Sequence, residues 1–112
     1  MEKKNIYYKI IALLSLLFVS FLWKQEILLF FALMVLSIII IYIGTNKKRE
    51  IKMYLLSGSM GVLAESFAVF HGAWIYSQHF NIINIPLWLF PLWGIASIFL
   101  VHFYEDIMNT SK

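Results

Sequence analysis

The sequence predicts an all-α, polytopic membrane protein with four transmembrane helices packed as an up-down antiparallel bundle. Three observations predict it. Of 112 residues, 62% are hydrophobic and only 13% are charged. A soluble chain of this length cannot hide so much apolar surface, because it buries only roughly two-thirds of its surface on folding. The apolar residues also form long blocks, without the helical or alternating periods of half-buried elements, so lipid is the expected solvent. Finally, the cations gather at alternate block ends.

The first block runs from about Ile6 to Trp23, and Lys9 within it can snorkel back towards the headgroups. Its basic start resembles a secretory signal. Its far end, "VSFLWKQE", carries bulky residues where cleavage needs small ones, so a retained helix is expected. The second block, Ile27 to Ile43 ("ILLFFALMVLSIIIIYI"), follows after only "KQE", which predicts a tight antiparallel hairpin. The third spans about Met53 to Tyr76 and the fourth about Pro86 to Tyr104. Each block approaches the ~20 residues that a bilayer requires. With no long linker and no internal repeat, residues 1–112 read as a single transmembrane domain.

Orientation follows from the cations. Lys3, Lys4, Lys9, Lys47, Lys48, Arg49, Lys52 and Lys112 share one side of a four-span chain, and Lys24 stands alone on the other. That bias predicts cytoplasmic termini in a prokaryotic cytoplasmic membrane. A glycosylation acceptor at Asn109-Thr110-Ser111 would therefore be silent. The formal net charge of +3 is a membrane signature of this kind, and no nucleic acid partner is expected. The absence of cysteine excludes disulfides, thiolate metal sites and cysteine nucleophiles.

The third block, with "GVLAESFAVFHGAWIYSQ" at its heart, holds an acid among apolar residues. At 100° per residue, Ser57, Gly58, Gly61, Ala64, Ala68 and Gly72 fall in one stripe of roughly 120°, with Glu65 near its edge. The opposite face carries Leu56, Leu63, Phe67, Phe70 and Trp74. Small residues on one face and large ones on the other predict close packing through the stripe. Counting about eleven or twelve residues to either end of the block puts Glu65 at mid-bilayer, ~16–18 Å from each surface. An ionised carboxylate there costs on the order of several kcal/mol unless paired or wetted. No lysine or arginine lies at matching depth, so Glu65 is expected to be a neutral hydrogen-bond donor. It reads either as a clasp between helices or as the acid of a catalytic or binding site.

In the fourth block, "NIINIPLWLFPLWGIA", Pro86 suits a first helical turn, and Pro91 should loosen the helix just inside it. Trp88 and Trp93, with Trp74 and Tyr76 across the loop, gather aromatics near the outer face. They form an interfacial belt or the lining of a ligand site. The histidines predict no metal centre. His71 and His79 lie towards the outer side, while His102 and Glu105 lie towards the inner side, where two ligands define no site. No cofactor fingerprint, phosphate loop or hydrolase triad is present, so no cofactor is expected.

These motifs carry a resemblance. An acid in the third span, then Gly72-Ala73-Trp74-Ile75-Tyr76, Ile85-Pro86-Leu87-Trp88-Leu89 and Leu92-Trp93-Gly94-Ile95-Ala96, resembles an uncharacterised family of small four-helix integral membrane proteins of bacteria and archaea. That resemblance covers roughly residues 58–105 and implies architecture more than chemistry. A fainter similarity is to the small subunits of membrane carotenoid (lycopene) cyclases, which also carry W-x-Y before a proline-led helix. Those enzymes place paired acids after the proline, whereas "PLWL" and "PLWG" follow here, so Glu65 would be the acid.

Two functions remain open on the sequence. One is a non-catalytic subunit or scaffold, a homo-oligomer or a member of a larger membrane assembly, packed through the stripe beside Glu65. The other is a binding protein or enzyme for a membrane isoprenoid or other lipid. There Glu65 would act as acid, with Trp74, Tyr76, Trp88 and Trp93 around the hydrophobic ligand. A proton path through Glu65 is the least supported, because the other blocks offer few polar steps beyond Ser15, Ser20 and Ser37.

Overall fold

A computed structural model describes residues 3–73 and 86–111, with side chains over 6–73 and 86–108. It is all-helical there, with no strands: α1 (Lys3–Leu22), α2 (Glu26–Ile43), α3 (Lys47–Phe70) and α4 (Leu89–Ser111). The turn after α1 closes with the Gln25 N–H donating to the Leu22 carbonyl at 2.8 Å. After α2, Gly44 turns the chain and its carbonyl accepts from Lys47 Nζ at 2.6 Å. Asn46 then caps α3, its Oδ1 accepting from the Arg49 N–H at 3.1 Å.

That cap explains why α3 begins before the apolar block. Lysine, arginine and glutamate are good helix formers, so the basic loop continues the helix once its first donors are satisfied. The other end stops short of Tyr76. Ala73 N–H bonds back to the Ala68 carbonyl and Gly72 N–H to Val69, with Gly72 at φ 81°. Together these make a Schellman stop, for which a glycine is the residue of least strain. Residues 74–85 lie outside the described residues, Trp74 and Tyr76 among them.

Before α4, the Leu89 N–H donates to the Pro86 carbonyl, and Pro91 falls in the first helical turn. Its missing donor costs little there, and the span opens as a turn over residues 86–88 before the α-helix begins at Leu89. The Leu87 N–H donates to Glu26 Oε2 at 2.7 Å, tying this turn to the start of α2. At the other end, Tyr8, Glu50 and His102 converge, so successive helices run in opposite directions. α4 touches all three other helices, whereas α1 and α3 are not neighbours.

Core residues of α2 are Leu29, Leu33, Leu36 and Ile40, a single helical stripe, packed with Ile95 and Ile98 of α4. The remaining faces are apolar too: Phe21, Ile38, Leu63, Phe67 and Phe70 all stand exposed. α2 and α3 are long and apolar enough to cross a membrane, and the apolar part of α1, Ile6–Leu22, is shorter.

Candidate functional site

Among the described residues the most enclosed polar or charged side chain is Glu50, only 1% exposed. It belongs to a stripe of α3 (Glu50, Tyr54, Gly58, Gly61) that is buried along its length. His102 of α4 brings Nε2 to 2.9 and 3.1 Å from the two Glu50 oxygens. Both oxygens on one ring nitrogen is the geometry of a carboxylate accepting a forked bond, so the proton is assigned to Nε2. Tyr8 of α1 stacks on the imidazole, with centroids 4.0 Å apart and planes at 12°. The backbone at Gly44 closes the other side: a Cβ there would lie 2.6 Å from Glu50 Oε2. One carboxylate thus joins α1, α3, α4 and the turn after α2.

A second pair flanks the first. Arg49 donates to Glu105 Oε1 at 2.9 Å, and His102 Nδ1 stands 3.8 Å from the same oxygen. The Arg49 guanidinium hydrogen bond holds the Glu105 carboxyl below its ordinary value, and Glu105 in turn raises Arg49. Sequence reasoning paired His102 with Glu105 and missed Glu50. The signal was available: Glu50 precedes Tyr54, Gly58 and Gly61 at helical spacing, although it sits in a basic loop that reads as solvated. The two ring nitrogens face different carboxylates, and no group of three metal-ligating side chains is assembled among the described residues.

Glu65 occupies a different setting. It lies five residues before Phe70, the last of α3, or about 7–8 Å from that end. The glycine stop ends the helix sooner after Glu65 than an apolar block running to Tyr76 implies. Glu65 is partly exposed, and Trp93 Nε1 donates to its Oε2 at 3.3 Å. The structure thus brings together two of the sequence-predicted site residues, Glu65 and Trp93. Trp88 is buried at the head of α4.

The small stripe divides. A Cβ on Gly58 would lie 3.0 Å from the Phe90 ring, and Gly61 is roofed by the Trp93 indole. Gly94 of α4 reciprocates, with Tyr54 2.5 Å from any Cβ there. Tyr54 in turn donates to Ser37 Oγ of α2 at 2.7 Å. Ser57 and Ala68 are half-buried, Ala64 is exposed, and a Cβ at Gly72 would meet nothing within 4 Å. Small residues also help line an apolar groove of about 210 Å³ between α1 and α4, Ala12 and Ser15 from α1 and Ala96 from α4, beside Leu16, Leu92, Ile95 and Phe99.

Comparison with protein-family models, curated proteins and solved structures yields no match.

Proposed function

We propose that the chain is a four-span integral membrane protein, with cytoplasmic termini, that serves as a structural subunit of a membrane assembly. A transmembrane helix of a neighbouring subunit seats in the groove between α1 and α4. That groove is the observation carrying the proposal. Its lining is almost wholly apolar and includes Ala12, Ser15 and Ala96, residue sizes that let helix backbones approach closely in lipid. At Gly58 and Gly61 the α3 stripe is covered by the chain's own α4, so the proposal shifts the contact from that stripe to the groove. The polar groups support a structural role as well, since Glu50, His102, Tyr54 and Glu26 join the chain's own elements.

Because the sequence has no cysteine, single cysteines at Ala12 or Ala96 can be cross-linked in native membranes. Adducts are expected at both, to a second copy or to another membrane protein, and none at Leu63 on the outward face of α3. A clean monomer with no adduct at either groove position refutes the proposal.

A second reading is favoured by the Trp93–Glu65 contact. An acid and an indole held together near the outer end of α3 could anchor the polar end of a membrane isoprenoid or other lipid. Lipids extracted from purified protein should then include one enriched species that Glu65→Gln loses. Bulk phospholipid alone would remove this reading.

A further inference from the structure

At the start of α3 an open cleft of about 380 Å³ is lined by Asn46, Lys48, Arg49, Lys52, Met53 and Leu56. Its size falls in the range of about 300–1,000 Å³ typical of small-ligand sites. Its chemistry is ordered along the helix axis. Lys48, Lys52 and Leu56 recur every four residues, so they share one face and climb about 6 Å per step. Cations thus occupy the first two turns, and the apolar lining begins beside Lys52 with Met53 and continues to Leu56 in the third. Among the described residues neither Lys48 nor Lys52 forms an ion pair, and both are exposed. The neighbouring acids are engaged elsewhere, Glu50 on His102 and Glu105 on Arg49. The positive end of the α3 dipole opens at the same place.

We propose that this cleft binds the phosphodiester headgroup of an anionic phospholipid, with Lys48 and Lys52 on the phosphate and Met53 and Leu56 against the first acyl carbons. A flank of lysines that merely sets topology needs no cleft and no such gradient from charge to apolar surface. The gradient follows the depth profile of a leaflet, which a free phosphate could not exploit. The inference rests on the membrane reading above.

The test uses the full chain, extracted from membranes in mild detergent and titrated with phosphatidylglycerol or phosphatidylcholine, with bound lipid counted by native mass spectrometry. Wild type is expected to prefer phosphatidylglycerol. A surface lysine contributes about five-fold to anionic lipid binding, so Lys48→Gln with Lys52→Gln should weaken it roughly 30-fold. Lys9→Gln, at the same end on α1, should leave binding close to wild type. Equal retention of both lipids by wild type overturns the proposal, as does an equal loss on Lys9→Gln, which would mean a diffuse basic surface. Displacement by inorganic phosphate at concentrations matching the lipid would overturn the lipid assignment. A chain absent from the membrane fraction sinks the membrane reading itself, whereas a membrane-borne chain without lipid preference sinks only the cleft.

Discussion

The Glu50–His102 pair can be dissected because its two partners differ in what their loss leaves behind. His102→Phe keeps a ring stacked on Tyr8 and deletes the N–H that both Glu50 oxygens share. Glu50 then has no hydrogen-bond partner among the described residues and, at 1% exposure, little recourse to water. Breaking a buried pair from one side costs about 3–5 kcal/mol. Glu50→Gln should cost less, about 1–3 kcal/mol, because an amide oxygen still accepts while the charge assistance is lost and the new amide donors are buried. Glu50→Leu combined with His102→Phe leaves neither charge nor orphan, and such replacements are often close to neutral. The expected order of destabilisation is therefore His102→Phe, then Glu50→Gln, then the double variant. Unfolding by sodium dodecyl sulfate in mixed micelles, followed by circular dichroism, reads all three; adding Glu50→Leu alone closes a double-mutant cycle that gives the coupling. A His102→Phe cost below about 1 kcal/mol would refute the argument, because the carboxylate would then be satisfied by something other than His102.

Three further outcomes are expected from the same measurement. Gly94→Val should cost about 1–3 kcal/mol by overpacking against Tyr54. Gly72→Ala, where a Cβ meets open space but φ is 81°, should cost only about 1–2 kcal/mol of backbone strain. Tyr54→Phe removes the donor to Ser37 and should cost about 0.5–1.5 kcal/mol. Glu105→Gln tests pH linkage. Arg49 depresses the Glu105 carboxyl below 4.5, so the pair contributes above about pH 4.5 and its contribution fades as pH falls through the depressed value. Both partners are more than a third exposed, so at neutral pH the substitution should cost only about 0.2–1 kcal/mol, and melting curves of variant and wild type should converge in acid.

Four helices and their order were legible in the sequence because block length and turn residues report directly on chain reversal. Their limits were less legible. Apolar content marks where lipid would begin, whereas helix ends are set by caps: Asn46 extends α3 into charged sequence, and Gly72 ends it before "AWIY". The same distinction displaced the site. Glu65 stood out because it interrupts an apolar run, and Glu50 was overlooked because it sits among lysines. Yet the interior is selected by helical phase, and by phase Glu50 belongs with Tyr54, Gly58 and Gly61. His102 confirms that phase from the partner helix, which no reading of α3 alone could supply.

The Trp93 contact also bears on what a lipid-directed site at Glu65 could do. Eighteen residues of α3 precede the acid and five follow it, which puts it about 27 Å from the Lys47 end of the helix. A ligand of this pair would meet a carboxyl oxygen already accepting from an indole, which favours a polar end over bare hydrocarbon. Proton transfer across the bundle fares worse. The Ser15 and Ser37 hydroxyls are each bonded to the carbonyl four residues back in their own helix, and the Tyr54 hydroxyl donates to Ser37, so these three hydroxyl protons are committed locally and not towards Glu65 or the inner cluster. Liposome flux should therefore be the same for wild type and Glu65→Gln, and a proton leak that the substitution abolishes would contradict this reading of the interior.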